Sequence, residues 1–498
     1  METSWLTWLC TIISLSVLVL AFKLSSKKRL KLPPSPAPRL PFLGHFLLLK
    51  SPLHQTCHQL SQKLGPIFSL NIGNRYIVVV SSSTLVEECF TKNDIVLANR
   101  PKFPIGQYIG YNFSTLVASS YNEKWRNLRR VSAIEVFSSI RLNTFTSIRQ
   151  DEVRRLLQKL YRRSNDAFAR VELRNMLTEL TFNNIMRMVS GKRYFGEEED
   201  DEKAKYFRVL IEDVFQLGGA VNPGNFSPFF RWIDYQGYEK KLKRTAEKMD
   251  VFLQGMLDEQ RRDKSKDTVI SHLLSLQESQ PEYYNDTDIK GLIIVMLLAG
   301  TDTSAVTLEW AMSALLNHPK ELEKARAEID NFAGNDRLIN ESDISKLPYL
   351  QSIVSETFRL FPATPLLIAH ESSDDCKIGG YDIPKETILL VNAWAVHRDP
   401  TVWDDPTSFK PERFRNGEAG PPKLIPFGMG RRSCPGSGLA QRMVGLTLGS
   451  LIQCFEWERI DEDVIDMTEG EGVSMPKAVP LVARCRARNV LHGVLGGA

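Results

Sequence analysis

The stretch Phe427-Gly428-Met429-Gly430-Arg431-Arg432-Ser433-Cys434-Pro435-Gly436 gathers more potential chemistry than any other part of the chain. Gly428, Gly430 and Gly436 let backbone approach a flat ligand and adopt positive φ. Pro435 fixes the chain directly after Cys434, and an apolar helical run follows from Leu439 through Phe455. Cys434 therefore lies just before a helix N-terminus, where the dipole favours a thiolate. A thiolate in that place can ligate a metal, and backbone N–H groups of the loop can bond the sulfur and tune it. Arg432 can supply positive charge to a carboxylate. Taken by itself, a lone cysteine in such a turn is more often a buried structural one.

Three other sets of residues have spacings that suggest chemistry. Ala299-Gly300-Thr301-Asp302-Thr303-Ser304 lies inside a helical run from roughly Thr287 to Asn317, ahead of Pro319. Leu292 to Leu298 is apolar all round, which predicts a central, buried helix. Gly300 weakens that helix, and the hydroxyls of Thr301 and Thr303 can compete for its hydrogen bonds. A groove for dioxygen and an ordered water is the expected result. Glu356 and Arg359, at i and i+3, share one helix face. That helix ends at Phe361-Pro362, and Leu350, Ile353, Val354, Phe358 and Leu360 predict its burial. A buried ion pair needs further partners. Trp125 and Arg129, at i and i+4, likewise share a face.

These residues need a scaffold, and the pattern predicts an α-rich α+β body without internal repeats. Ile67 to Val80 alternates and is rich in Ile and Val, so it is expected to form strands. Helical periodicity dominates from about Glu123 to Asn317. Strand-like segments return between about Ile368 and Leu390, and the region after Ser474 is expected to form a short hairpin. Glu197 to Glu202 is a run of six acids, expected in a solvated loop. Asn225 to Trp232 is aromatic, and it fits either a membrane interface or packing against the core.

Composition narrows the class. The chain has 498 residues, 43% hydrophobic and 24% charged, an ordinary globular balance. Its 63 basic and 59 acidic side chains leave a net charge of +4, with no dense basic patch of the kind that binds nucleic acid. The seven cysteines, Cys10, Cys57, Cys89, Cys376, Cys434, Cys454 and Cys485, are widely spaced and include no C-x-x-C. A disulfide framework or zinc ribbon is not expected, and a cytosolic body is. Before that body, Trp5 to Phe22 carries no charge, and the apolar stretch to Leu24 is long enough to cross a bilayer. Positive charge follows it, at Lys23, Lys27, Lys28, Arg29 and Lys31, rather than preceding it. This favours an uncleaved anchor with the body on the cytosolic side over a signal peptide. Pro33, Pro34, Pro36, Pro38 and Pro41 then make a stiff spacer.

The Cys434 stretch resembles the haem-binding signature F-x-x-G-x-R-x-C-x-G of the cytochrome P450 superfamily, matching at Phe427, Gly430, Arg432, Cys434 and Gly436. The other segments are similar to the family's further motifs and fall in its order. The resemblance implies a mainly α (α+β) fold: a membrane anchor at 1–24, a basic and proline-rich linker at 25–42, and a single helical haem-thiolate domain with small sheets at 43–498. It implies haem b with iron ligated by Cys434. Arg432, Trp125, Arg129, His370 and Arg100 would serve the propionates, and Phe427 and Gly436 the loop. It implies that Thr303 hydrogen-bonds the activated oxygen and Asp302 delivers protons. Glu356, Arg359 and Arg413 would form a structural network. Substrate contacts would come from Phe103 to Phe113, Phe215 to Val221, Met296 to Ala299, Ala363 to Ile368 and Val473 to Pro476.

Within the superfamily the chain looks like plant microsomal members, nearest to isoflavone and flavonoid ring hydroxylases with some lignan and terpenoid oxidases. The implied activity is NADPH- and O2-dependent monooxygenation of a hydrophobic specialised metabolite at the endoplasmic reticulum membrane. The chain has no strand–GxGxxG–helix unit of its own, so electrons would come from an NADPH–cytochrome P450 reductase. Lys124, Arg126, Arg130 and Arg442 are candidates for its docking face. Two other classes compete: a haem-thiolate isomerase or dehydratase needing no external electrons, and a non-catalytic haem-binding protein. The Asp302-Thr303 turn argues against both.

Overall fold

The computed structural model describes residues 30–491, except 41, 165–166, 197–201, 220–221, 264–266, 335–336 and 416–419. The expected anchor and most of the acidic run lie outside the described residues. The proline segment is laid against the body: the Ser69 amide donates to the Pro34 carbonyl at 2.7 Å and its hydroxyl to the Pro33 carbonyl at 3.0 Å. Of the cysteines described, Cys57, Cys89, Cys454 and Cys485 are buried thiols, as expected of small hydrophobes.

A four-stranded sheet is built from β1 (Ile67–Ile72), β2 (Arg75–Val80), β4 (His370–Glu371) and β7 (Ile388–Val391). Its order is β1-β2-β7-β4, antiparallel except for the β2–β7 pair. The Ile/Val alternation thus makes the strands expected, and β4 fixes His370 opposite Leu389. A second sheet joins β3 (Ala169–Glu172), β8 (Phe455–Glu458) and β9 (Val482–Ala487), and β5 (Cys376–Ile378) pairs with β6 (Tyr381–Ile383). The hairpin expected after Ser474 is therefore corrected. β9 takes its partners from β3 and β8, and the turn before it contributes only an isolated bridge between Glu469 and Lys477.

Five helices position the site: α1 (Glu123–Val131), α2 (Leu173–Ser190), α3 (Asp286–Asn317), α4 (Pro348–Leu360) and α5 (Ser437–Cys454). Asn285 caps α3, accepting from the Asp288 amide, and His318-Pro319 ends it. Among the described residues α3 alone is long and apolar enough to cross a membrane, but it is mostly buried. It is the core helix that the sequence predicts. Trp310 on α3 stacks on Phe361 at 4.4 Å between ring centroids. α3 runs unbroken through Gly300. A Cβ there would lie 2.8 Å from Ile185 Cδ1, so its small size serves the close crossing of α2 over α3.

At the end of α4, Arg359 donates to both Glu356 carboxylate oxygens at 2.7 and 2.8 Å, and both side chains are fully buried. The remaining donors and acceptors are used, as a buried pair requires. Arg359 also donates to the carbonyls of His397, Pro406 and Ser408, while Arg413 Nε and the Lys410 amide donate to Glu356. His397 carries this network onward. Its Nδ1–H donates to the Arg359 carbonyl at 3.1 Å, and its Nε2 accepts from the Ile425 amide at 2.9 Å, two residues before Phe427.

Burial pushes the His397 pKa down to about 3, with the Arg398 charge adding to the effect. The unfolded chain takes up a proton near pH 6.5 that the native state refuses. The stability this residue contributes is therefore complete above that pH and is lost as pH falls toward 3, at up to about 1.4 kcal/mol per pH unit. Denaturant unfolding at pH 7 and pH 5 should show a shallower loss in His397→Gln than in the unmodified chain. Equal losses in the two proteins would contradict the neutral, bridging role of His397.

Candidate functional site

The loop before α5 is shaped by backbone geometry. The Cys434 amide donates to the Phe427 carbonyl at 2.8 Å, and Phe427 packs edge-on against Phe358 of α4 at 5.0 Å. Gly428 and Gly430 both have φ of +70°, and a Cβ on Gly430 would meet Asp94 Oδ1 at 2.5 Å. Gly436, expected to share this conformation, has φ of −90° and caps α5 instead. What it provides is closeness: its Cβ position is 3.6 Å from Phe137 and 3.9 Å from Cys434 Sγ.

Cys434 retains solvent-accessible surface although protein surrounds it closely. Burial pushes its thiol pKa up; the Gly436 amide, the Arg129 charge and the Ser437 amide oppose that rise. The helix N-terminus that the sequence places beside the sulfur thus acts through two particular N–H groups.

Around this loop lies a concentration of positive charge. Arg432 donates to the carbonyls of Ala98 at 2.7 Å and Ser119 at 2.6 Å, and its guanidinium lies 4.1 Å over the Trp125 ring. Trp125 is buried and spends its indole N–H on the Leu116 carbonyl at 3.0 Å. Arg129, one turn along α1, reaches the Ser433 hydroxyl at 3.4 Å. Arg100 is buried and donates to the carbonyls of Ile368 and Ala369, leaving its Nε with no partner. Burial pushes the Arg100 pKa down to about 10. For Arg432 burial, with the charges of Arg100 and Arg129, pushes it down to about 9. All three remain cations at neutral pH, and no carboxylate among the described residues pairs with them. The neighbouring Arg431 contrasts with them: it is bridged to Asp94 at 2.8 Å, a pairing the sequence reading missed.

His370 completes the group. Its Nδ1–H donates to the Leu97 carbonyl at 2.7 Å, and burial, then the Arg100 charge, hold its pKa well below the ordinary imidazole range. It is therefore neutral here, with Nε2 an acceptor. It can donate to a carboxylate only after gaining a proton.

The Asp302-Thr303 turn sits on α3. Thr303 donates to the Ala299 carbonyl at 2.7 Å and Thr301 to that of Leu297 at 2.7 Å. Ala299 is exposed in the middle of an otherwise buried helix, so α3 faces open space at this turn. Asp302 does not share a partner with Thr303. It accepts from the Ser474 hydroxyl, and burial raises its pKa against that hydrogen bond and the Arg174 charge. Of the expected pocket segments, three meet at Gly218, whose Cβ position is 3.1 Å from Ile105 and 3.4 Å from Val473. A fourth is joined where the Met475 amide donates to the Ala363 carbonyl at 2.9 Å.

A glycine-shaped thiol loop before a buried helix, a buried ion-pair network behind it and a long core helix across from it define a haem-thiolate class of fold. The family model for cytochrome P450 matches residues 33–482. Cytochrome P450 81Q32 of Catharanthus roseus is 60% identical over 497 residues, 99% of each chain. The (+)-piperitol/(+)-sesamin synthase CYP81Q2 of Sesamum radiatum is 57% identical over 94% of this chain and 92% of its own. The isoflavone 3'-hydroxylase of Medicago truncatula is 52% identical over 97% and 99%. A zebra fish cytochrome P450 structure with progesterone superposes with a TM-score of 0.75 at 26% identity, covering 88% of this chain and all of that one. The chain belongs to the cytochrome P450 family and is a monooxygenase of its plant group.

The residues present fit the family's haem. Cys434 would hold the iron, and the unpaired cations Arg100, Arg129 and Arg432 would receive the propionates, with the orphaned Arg100 Nε as the clearest mark of a missing acceptor. Replacing Arg100 or Arg432 by Leu should each speed haem loss to a scavenger protein. The weakening should be about tenfold to a hundredfold, from hydrogen bonds to charged groups of about 1.5–3 kcal/mol. Unchanged retention in both variants would contradict this placement.

Proposed function

We propose that this enzyme inserts one oxygen atom from O2 into a hydrophobic plant specialised metabolite of the isoflavonoid or flavonoid, lignan or terpenoid type. Electrons would come from NADPH through a reductase. The observation that carries the proposal is the uncompensated cation cluster beside Cys434 combined with the acid and alcohol of Asp302 and Thr303 on α3. When bound, haem supplies dioxygen binding and stepwise one-electron chemistry.

The chain's own residues do the rest. Thr303 presents a hydroxyl already oriented by the Ala299 carbonyl, and Asp302 holds a proton closer to neutral pH than an ordinary carboxyl does. Ile105, Gly218 and Val473 come together as an apolar surface, which suits an apolar substrate fixed by few polar contacts. The names of the lignan-forming and isoflavone-hydroxylating relatives support that substrate range.

The reading places the enzyme at the endoplasmic reticulum, held by a single N-terminal span with the body in the cytosol. An apolar surface supports a membrane-facing side: Phe42, Leu47, Phe229 and Trp232 are exposed, and Phe226 beside them packs on Phe46 and Phe103. On the face for the reductase, Arg126 and Arg130 are exposed, whereas Lys124 is bridged to Asp288 and Arg442 to Glu341.

Membranes containing this chain and a reductase, given a panel of flavonoids, isoflavonoids, lignans and terpenoids, should yield a product heavier by one oxygen atom only with NADPH. Turnover without NADPH would sink the proposal in favour of an isomerase. Thr303→Ala should keep consuming NADPH but lose most of its product yield per NADPH. A fully coupled Thr303→Ala variant would contradict the role given to Thr303.

A further inference from the structure

The loop after α5 and β8 reaches back to α3. The Ser474 hydroxyl donates to Asp302 Oδ2 across 172 positions of sequence. The flanking residues leave Ser474 little freedom. The Trp310 indole donates to the Met475 carbonyl at 2.8 Å, and the Met475 amide to the Ala363 carbonyl at 2.9 Å. Arg174 of α2 donates to the Lys477 carbonyl at 2.8 Å, and the Lys477 ammonium lies 4.9 Å from the Trp310 ring centroid. The serine is thus a donor held by the pinned residues that follow it. Its neighbour Val473 is one of the residues that meet at Gly218 on the pocket wall.

We propose that Ser474 is a positioning residue for Asp302, fixing the direction of its carboxylate and tying it to the loop that contacts the substrate. The proposal rests on the proton-handling reading of Asp302 given above. Asp302 and Thr303 are adjacent, yet Thr303 is oriented from inside the helix by Ala299, whereas Asp302 is oriented from outside it by Ser474. A substrate that moves Val473 therefore acts on the acid and leaves the alcohol in place.

The charges near Asp302 are few. Arg174 from α2 acts on it, and Arg174 is itself bridged to Glu309 of α3 at 3.0 Å. Lys477 of the loop interacts with Glu309, Asp466 and Arg174. Burial raises the proton affinity of Asp302, and the Ser474 hydroxyl is the foremost group lowering it. Removing that hydroxyl should let the affinity rise further.

The test uses the full-length ferric enzyme in membranes. The infrared band of a protonated carboxyl is assigned to Asp302 by its loss in Asp302→Asn, and its pH midpoint is then compared between variants. In Ser474→Ala the midpoint should move up by on the order of one pH unit, since a hydrogen bond to a charged acceptor corresponds to about tenfold in proton affinity. Ser474→Thr, which keeps the hydroxyl, should restore it. Product per NADPH should fall severalfold in Ser474→Ala and recover in Ser474→Thr, with the substrate-induced spectral shift retained in both. An unmoved midpoint and normal yield in Ser474→Ala, alongside a lost yield in Asp302→Asn, would overturn the proposal alone. A normal yield in Asp302→Asn would overturn the reading of Asp302 and the proposal with it.

Discussion

Three guanidinium groups share the space around the Cys434 loop, and no carboxylate among the described residues neutralises them. Burying one unpaired cation is costly, and a cluster of them is costlier, so such a group marks a place that suits an anionic partner. The surroundings reduce the cost without removing it. Backbone carbonyls of Ala98, Ser119, Ile368 and Ala369 accept from Arg432 and Arg100, and the Trp125 face lies against Arg432. His370 is held neutral, which avoids a further positive charge. Around the sulfur the same positive field favours the thiolate, through Arg129. One arrangement therefore serves both an anionic ligand and an anionic sulfur.

The position of that loop is inherited from the buried ion network on α4. Glu356 and Arg359 bind the carbonyls and amides of the 397–410 segment, and His397 passes the register to Ile425, just ahead of Phe427. Phe427 then returns to pack on Phe358 of the same helix. The chain of contacts is closed on itself, so the Cys434 loop has little freedom to shift relative to α4. On the other side, α3 is fixed by its crossing with α2 at Gly300, and the C-terminal loop is pinned to both. The site is thus assembled from segments that are rigid for separate reasons.

Much of this was legible in the sequence where the determinants are local. The positions of Cys434 before a helix, Glu356 and Arg359 on one helix face, and the buried run of α3 follow from spacings of a few residues. The fit of Phe427 through Gly436 to a known signature then supplied the family, and the relatives agree. What escaped depends on long-range contacts. Asp94 meets Arg431 across 337 positions, and Ser474 meets Asp302 across 172. No periodicity reports either. Gly300 was read as a weak point because a glycine in a helix is intrinsically weak, while the presence of Ile185 opposite it is a tertiary fact. The expected C-terminal hairpin failed for the same reason: strand pattern was visible in β9, but its partners β3 and β8 lie elsewhere in the chain.

The central claim is that the sulfur of Cys434, in this field of cations, is the ligand that gives the enzyme its chemistry. The most direct measurement is the absorption spectrum of the reduced, CO-bound protein. The unmodified chain should show the red-shifted band of thiolate ligation, and Cys434→Ala should lack it. A band that is absent from the unmodified protein, or that survives in Cys434→Ala, would contradict the account.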